Sequence, residues 1–397
     1  TPLGCRERRR RPACRATLGR SRAVWIGDAL FFLFFLVYLI SCFFSEDKKY
    51  AFRVIERNIG LLLLPTIIGI SILKNKNFDI RVILKSFISI ISILLIISLI
   101  IAFYKNGMFN IENGYSHFRF KSWYFTYHYL SQNINISAIY LSLYLSFAII
   151  ILTCDILNFE ILKFGVSTHL KHIWLFFLII FLFLLSARTI IVSTSVILFI
   201  LFFKKALQLK KVMIFVFVSV ILCLVLLTVV YNNDVLRLRF ISTFQLYQES
   251  KYFSGGLSSR IAQWNSIINE LIEKQKLFFG VGIGDVKVVY LEAYNKFGLD
   301  WAIKNNFNAH NMYIEILFST GIVGLLSFTL IIIQSLIIAI KSKARIYLLF
   351  LVLFLLAGLT ESIFSRQYGI VYFLLFNNIL YFKAKETLNN LQKIRLQ

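Results

Sequence analysis

The sequence predicts an all-α polytopic membrane protein with about ten transmembrane helices and one large loop on the outer side that contains short amphipathic helices. Three observations support this prediction. Hydrophobic residues make up 58% of the 397 residues, and the mean hydropathy is +0.76, which exceeds the apolar share typical of soluble domains. Apolar runs long enough to cross a bilayer recur along most of the chain. The basic residues cluster in short loops between these runs.

Residues 1–26 differ in composition from the rest of the chain. They are rich in arginine, whereas the remainder prefers lysine, asparagine and isoleucine. The segment is either a basic anchor for the cytoplasmic membrane surface or a stretch that is not native to the protein. We assign it no mechanistic role.

Ten apolar runs follow, and they divide the chain. Residues 27–231 hold predicted spans 1–7, residues 232–310 form the large loop, residues 311–382 hold spans 8–10, and residues 383–397 form a tail. An even number of crossings places both termini on one side. The predicted spans are 28–44, 59–73, 82–103, 129–152, 172–187, 189–203, 212–231, 312–340, 346–363 and 367–382.

The distribution of charge orients these spans. Loops on one side carry clusters such as Lys204, Lys205, Lys210 and Lys211, whereas loops on the other side have a mixed or balanced charge. The positive-inside rule therefore predicts cytoplasmic termini. The basic residues of the predicted cytoplasmic loops explain much of the net charge of +24. Nucleic-acid binding is disfavoured, because no extended soluble surface interleaves basic and aromatic residues.

The run 172–203 is interrupted only by Ser186, Ala187 and Arg188. A single helix of this length would extend roughly 48 Å, too long for one crossing. We therefore predict two helices that turn at Ser186–Arg188, which places Arg188 on the outer side. An arginine there either snorkels to the interface or binds a phosphate with its paired donors.

Arg260 opens a predicted helix of about 16 residues, which Ser258 or Ser259 would cap. Its proximity to the free N–H groups of the first turn makes it a candidate anion ligand, although a structural role remains open. The stretch "GVGIGD" that follows is predicted to form a tight turn, since it lacks the strand of a nucleotide-binding motif. The predicted apolar face of the helix, which would lie on the membrane surface or on the bundle, consists of Ile261, Trp264, Ile267, Ile268 and Leu271.

His310 lies where the large loop meets the eighth span. A neutral imidazole can act as a general base near physiological pH. The alternative is a histidine that caps the helix or lies at the interface without a chemical role.

Three stretches match one family in order. "LLSARTIIVSTS" resembles its arginine-bearing turn, "SSRIAQWNSIINELIEKQKLFFGVGIGD" its periplasmic arginine and glycine-rich turn, and "AHNMYIEILFSTGIVGLL" its signature histidine segment. Together with "SCFFSEDKKYAFRVIERNIGLLLLP", they make residues 28–382 similar to the superfamily of O-antigen ligases and O-antigen polymerases. The histidine segment is the most specific of these motifs.

The resemblance implies a metal-independent glycosyltransferase of the bacterial inner membrane whose active site lies on the periplasmic face. Its donor would be a glycan linked to undecaprenyl diphosphate, and its acceptor lipid A–core for a ligase or a second lipid-linked glycan for a polymerase. The resemblance assigns His310 as the base for an inverting displacement and Arg188 and Arg260 as diphosphate ligands. Arg366 is a further candidate phosphate contact that no motif supports.

Two other hypotheses stay open at this point. A transporter of the same lipid-linked glycan would also place arginines in the membrane, but we find no inverted repeat. A structural subunit without chemistry would need these residues only for folding. No cofactor is expected, and the five cysteines lack metal-binding spacing. The predicted spans are fewer than is common in the family, which leaves open whether N-terminal helices are missing.

Overall fold

The computed structural model of the protein describes residues 29–74, 78–105, 122–159, 165–232 and 257–395, and this part of the chain contains helices and no strand. Residues 1–26 and the first part of the predicted large loop lie outside the described residues. The chain divides into two compact units. The first comprises the described residues up to Phe78, those from Val220 to Lys343 and those from Gly358 onward. The second comprises Asp79–Ser219 and Ala344–Ala357.

We number the described helices in chain order. Short 3-10 turns lie at Ser122–Phe125 and Ile363–Ser365. The α-helices are α1 (Ala29–Phe44), α2 (Lys48–Asn58), α3 (Gly60–Lys74), α4 (Ile80–Lys105), α5 (Tyr127–Gln132), α6 (Ala138–Ile156), α7 (Thr168–Leu184), α8 (Arg188–Gln208), α9 (Val212–Asn232), α10 (Leu257–Glu273), α11 (Val286–Lys296), α12 (Asp300–Lys304), α13 (Met312–Lys341), α14 (Arg345–Gly358) and α15 (Gln367–Arg395).

Five helical segments in the described residues are long and apolar enough to cross a membrane. They are Lys48–Ile72, which joins α2 and α3, together with α4, α6, α8 and α13. Shorter apolar helices occur at α1, α7, α14 and the first part of α9. The all-α prediction is thus confirmed for the described residues, and the count of about ten crossings stays a prediction.

The boundaries of two predicted spans are wrong. The span predicted at 129–152 begins instead at Ala138, because Asn135 adopts a left-handed φ of 54° and separates α5 from α6. The span predicted at 346–363 ends at Gly358, and the residues after it form an irregular loop and a 3-10 turn. The last helix continues to Arg395, through residues predicted as a tail.

The predicted break at Ser186–Arg188 is confirmed. Helix α7 ends at Leu184, Ser186 adopts a left-handed φ of 51°, and α8 begins at Arg188. A non-glycine residue in this region of φ is uncommon and marks a turn. The two apolar runs are therefore separate helices.

Helix α6 forms the centre of the second unit. It is apolar around its whole circumference and packs against α4, α5, α7 and α8, as expected for a helix without a solvent-facing side. Two of its buried polar side chains, Asp155 and Ser146, have polar partners on neighbouring helices. The Asp155 carboxylate lies 2.7 Å from the Lys171 ammonium, and the Thr194 hydroxyl donates to the Ser146 hydroxyl at 2.7 Å.

In the first unit, α15 packs against α3 and α13. Phenylalanines from α1, α13, α15 and the 3-10 turn meet edge to face or tilted: Phe34, Phe328, Phe364 and Phe373. Such aromatic pairs contribute beyond the apolar area that they bury. The cluster holds the loop after Gly358 close to α1 and α13.

Helices α10, α11 and α12 share one apolar core with the start of α13. The core includes Ile267, Tyr294, Trp301 and Phe318. A buried carboxylate ties two of the helices together, because Glu270 of α10 accepts from the Lys296 ammonium of α11 at 2.5 Å. The predicted short helices of the large loop thus form a compact subdomain.

The buried face of α10 coincides only in part with the predicted apolar face. Ile267 and Leu271 are buried as expected, but Ile261 is exposed and Gln263 and Glu270 are buried. The buried face is rotated because α10 packs on other helices of the subdomain, where Lys296 compensates the charge of Glu270. The described helix already includes Ser258 and Ser259, so neither serine is its cap.

Helix α13 is interrupted at Gly321, which has φ 69° and ψ −168°. The turn after α10 repairs the interruption. The N–H groups of Val281 and Gly282 donate to the carbonyls of Phe318 and Ser319 at 2.9 and 3.3 Å. In the opposite direction, Ile322 N donates to Leu277 O and Val323 N donates to Phe278 O, at 2.9 and 3.3 Å. Four of the backbone groups beside the break therefore have partners in the turn.

The glycine-rich stretch "GVGIGD" is the tight turn that the sequence predicted. Gly280 and Gly282 have φ values of 73° and 101°. A Cβ at Gly280 would lie 2.5 Å from the backbone of Thr320, so only glycine allows the close approach to α13. Asp285 anchors the end of the turn, because its carboxylate accepts from the backbone N–H groups of Glu46 and Asp47.

We expect Gly321→Ala to lower the free energy of unfolding by roughly 2–5 kcal/mol. The left-handed φ disfavours any side chain, and the new Cβ would lie 2.1 Å from the Phe278 carbonyl oxygen. Thermal unfolding of the purified protein in detergent measures the effect. Gly165→Ala is the matched control, since Gly165 has a similar φ of 65° but nothing within 4 Å of its Cβ position, and its cost is about 1–2 kcal/mol. Equal effects of the two substitutions would contradict the role of the contact.

Candidate functional site

An arginine, a carboxylate and an imidazole from three separate segments of the first unit form one polar cluster. Glu361, in the loop after α14, lies between Arg260 of α10 and His310. Its Oε1 is 3.3 Å from Nη2 of Arg260, and its Oε2 is 3.5 Å from Nδ1 of His310. The side chains are 26% exposed for Arg260 and His310 and 17% exposed for Glu361. The cluster is thus shielded but remains open to a ligand.

His310 adopts a left-handed backbone conformation with φ 44°. Three side chains form hydrogen bonds with the backbone segment that carries it. Trp264 of α10 donates to the carbonyl of Ala309 at 2.7 Å, and the Asn308 side chain accepts from the N–H of His310 at 3.1 Å. Tyr294 of α11 donates to the carbonyl of Asn308 at 3.4 Å. Non-glycine residues held at positive φ cluster at functional sites, where the surrounding structure compensates the strain.

Asn311 fixes the imidazole loop to the loop that carries Glu361. Its side-chain oxygen caps α13 by accepting from Tyr313 N and Ile314 N, at 2.9 and 3.1 Å. Its side-chain nitrogen donates to the carbonyl of Leu359, and its backbone N–H donates to Ser362. One residue therefore starts the helix and holds both site loops together.

A second carboxylate is hydrogen-bonded to the residue after Glu361. The Oε2 of Glu315, in the first turn of α13, accepts from the Tyr290 hydroxyl at 2.9 Å and from the Ser362 hydroxyl at 3.2 Å. Burial raises the pKa of the Tyr290 phenol well above its ordinary value, and the charge of Glu315 is the second-largest cause. The phenol therefore stays protonated and remains a donor that fixes Glu315.

The arrangement can bind an anion and move a proton. The Arg260 guanidinium has donors beyond the one directed at Glu361. The Nδ1 atom of His310 is buried and makes no hydrogen bond within the described residues. If its proton points toward Glu361, the Nε2 atom is left with a lone pair that can accept a proton. Phe307 packs edge to face on the imidazole with ring centroids 5.2 Å apart and limits its rotation.

The other two predicted site residues, Arg188 and Arg366, are on other elements. Arg188 is the first residue of α8 and belongs to the second unit. Arg366 is exposed and precedes α15, where its backbone carbonyl accepts from Gly369 N and Ile370 N. The structure brings together Arg260 and His310, and their connecting residue, Glu361, was not among the predicted site residues. The signal in the sequence was a lone acidic residue on the predicted outer side, between the last two spans.

The apolar helices and the polar cluster define a membrane protein with a candidate site for anion binding and proton transfer. Residues 173–329 match the family model described as O-antigen ligase, which supports membership of the chain in the O-antigen ligase superfamily. This family consists of membrane glycosyltransferase-like enzymes that act on lipid-linked glycans. The matched residues include Arg188, Arg260 and His310 and end before Glu361. A comparison with curated proteins finds no match.

We expect Asn311→Ala to lower the free energy of unfolding by roughly 2 kcal/mol. It removes the cap of α13 and leaves the Leu359 carbonyl without its donor. Asn311→Ser is the matched comparison, because a hydroxyl keeps the cap and removes the donor to Leu359. Thermal unfolding in detergent should rank the stabilities as wild type, then Asn311→Ser, then Asn311→Ala. Equal losses for both variants would mean that the cap contributes little.

Proposed function

We propose that this protein is a glycosyltransferase that moves a glycan from undecaprenyl diphosphate to lipid A–core on the periplasmic face of the inner membrane. The observation that carries the proposal is the position of Glu361 between Arg260 and His310, in a chain of the O-antigen ligase superfamily. A guanidinium suits a diphosphate, and an imidazole oriented by a carboxylate suits the removal of a proton from a sugar hydroxyl.

In the proposed reaction, the Nε2 atom of His310 takes the proton of the acceptor hydroxyl. The acceptor oxygen forms a bond to the anomeric carbon as the bond from that carbon to the diphosphate oxygen breaks. The electron pair of the broken bond stays on the diphosphate, and Arg260 stabilises the charge that grows there. A single displacement of this kind inverts the anomeric centre.

Glu361 would act on both partners. Its charge stabilises the imidazolium that forms when His310 accepts the proton, and its position fixes the tautomer with the proton on Nδ1. Its contact with Arg260 directs the guanidinium toward the same space. The present 3.5 Å separation from His310 is compatible with a hydrogen bond that tightens when substrates bind.

Arg188 and Arg366 complete the proposal as additional phosphate ligands. Arg188 is supported by its place in the family match and by its position at the start of a helix after a tight turn. Arg366 is supported by its exposure and its location five residues after Glu361. The proposed topology has residues 232–310 in the periplasm and both termini in the cytoplasm, as the charge distribution favours.

Reconstituted proteoliposomes test the reaction. Purified protein receives glycan-loaded undecaprenyl diphosphate with either lipid A–core or a second loaded donor as acceptor. Transfer to lipid A–core supports the ligase, whereas lengthening of the lipid-linked glycan would identify a polymerase. If folded protein transfers glycan to neither acceptor, the proposal is wrong, and movement of the donor across the bilayer without transfer would indicate a transporter.

We expect His310→Ala to lower the transfer rate by roughly 10²–10⁴-fold, because the acceptor hydroxyl loses its base. Initial rates at saturating donor measure the effect. His169→Ala is the matched control, since His169 is exposed in the first turn of α7, and it should keep the wild-type rate. A folded His310→Ala protein with the wild-type rate would exclude the base role.

We expect Glu361→Gln to lower kcat roughly 10- to 100-fold and to change KM little, because the amide keeps the shape of the side chain but cannot stabilise an imidazolium. Steady-state rates over a range of donor concentrations separate the two constants. Glu273→Gln removes an exposed carboxylate that pairs with Lys296 and should leave both constants unchanged. A change confined to KM would instead assign Glu361 to donor binding through Arg260.

A further inference from the structure

The turn between α10 and α11 exposes large apolar side chains although its backbone is fixed. Phe278 and Phe279 are 66% and 64% exposed, and Leu277 precedes them. The carbonyls of Leu277 and Phe278 are bonded to the N–H groups of Ile322 and Val323. The turn is therefore rigidly attached to α13 immediately after its break.

The break in α13 indicates where this helix enters the hydrocarbon core of the bilayer. From Ile322 to Lys341 the helix has 20 residues and no charge before Lys341, so this part extends about 30 Å, the thickness of the hydrocarbon core. Leu326 and Leu330 are exposed on this part, as lipid-facing residues would be. Ile322 thus lies at the boundary of the hydrocarbon, and Phe278 and Phe279 lie beside it.

The end of α1 reaches the same level. The Ser41 hydroxyl donates to the carbonyl of Ser319 at 3.2 Å and accepts from Ile283 N at 3.1 Å. The Ser45 hydroxyl accepts from Gly284 N at 2.9 Å. Between these two serines, Phe43 and Phe44 are 74% and 73% exposed. Two chain segments, joined by hydrogen bonds, therefore each expose a pair of phenylalanines at one height.

We propose that Phe43, Phe44, Phe278 and Phe279 form an aromatic rim that inserts into the lipid leaflet at the level of the break in α13. Four phenylalanines exposed at one height are too apolar for a water-facing surface, and phenylalanine is among the residues that interfacial segments bury at the boundary of headgroups and acyl chains. The rim is continuous with the lipid-facing part of α13, which makes lipid its partner and not another protein.

Basic groups beside the rim fit the polar side of the same interface. Lys276 is exposed directly before Leu277. The Lys48 ammonium donates to the carbonyl of Phe43 at 2.6 Å, at the end of α1. A lysine that flanks an apolar anchor, as Lys276 does, places its ammonium group among the lipid phosphates and extends its aliphatic stem toward the hydrocarbon. The turn that the sequence assigned to an outer loop therefore returns to the membrane.

The rim deepens the proposed function, on which this consequence rests. Met312 is ten positions before Ile322, so the helix raises Met312 at most about 15 Å above the hydrocarbon boundary. The two residues before Met312 add at most about 7 Å to the height of His310. The rim and the repaired break fix this height. A diphosphate attached to a lipid lies in the headgroup layer, and a site held at constant height can meet it without a large movement of the protein.

Tryptophan fluorescence in lipid vesicles tests the rim without any need for enzymatic activity. Phe278→Trp is introduced into the full-length protein, which is reconstituted in phosphatidylethanolamine and phosphatidylglycerol, with and without acyl chains brominated near the headgroup. The emission of the wild-type protein is subtracted to remove its 5 native tryptophans. Leu326→Trp, on the lipid-facing part of α13, is the positive control. Lys304→Trp, at the exposed polar end of α12, is the negative control.

We expect the added emission of Phe278→Trp to be blue-shifted and quenched by the brominated lipid as strongly as that of Leu326→Trp. Emission like that of Lys304→Trp, without quenching, would overturn the proposal. Blue-shifted emission that bromine does not quench would also overturn it, since the turn would then face protein. The double variant Phe278→Ser and Phe279→Ser should lower the transfer rate. It should bind a water-soluble diphosphate as tightly as the wild type does. Quenching without any glycan transfer in the wild type would keep the rim and reject the proposed function.

Discussion

The interruption of α13 at Gly321 is the constraint on which the rest of the first unit depends. A helix broken near the hydrocarbon leaves N–H and C=O groups that water cannot satisfy, at a cost of several kcal/mol each. Residues Leu277–Gly282 supply the missing partners with their own backbone. The repair fixes the turn after α10 to the helix, and it thereby fixes the α10–α12 subdomain that positions Arg260 and supports the loop of His310.

The site combines charges that would each be unfavourable alone in a partly buried environment. A shielded carboxylate, here Glu361, has a guanidinium on one side and an imidazole on the other. The guanidinium compensates its charge before the reaction, and a protonated imidazole would do so during it. The two functional groups are thus coupled through one carboxylate, so binding of an anion to Arg260 would alter the electrostatic environment of His310.

Backbone connections, more than side-chain packing, set the precision of the site. Trp264, Asn308 and Asn311 each bond to main-chain groups next to His310 or to the loop of Glu361. Hydrogen bonds to main-chain atoms fix the position of a residue's backbone, whereas packing fixes only the position of its side chain. This explains how a loop without regular structure can hold a strained residue such as His310.

The sequence by itself determined the class of the protein, because membrane insertion and orientation depend directly on local hydropathy and on the charge asymmetry of the loops. It also predicted the turn at Ser186 and the glycine-rich turn, and it proposed Arg260 and His310 as site residues, all from local signatures. Only the tertiary structure decided where Glu361 and Asn311 lie and which face of α10 is buried. These depend on contacts between residues 26 to 101 positions apart, such as Glu270 with Lys296 and Glu361 with Arg260, and no local pattern encodes which distant partner a polar side chain will meet.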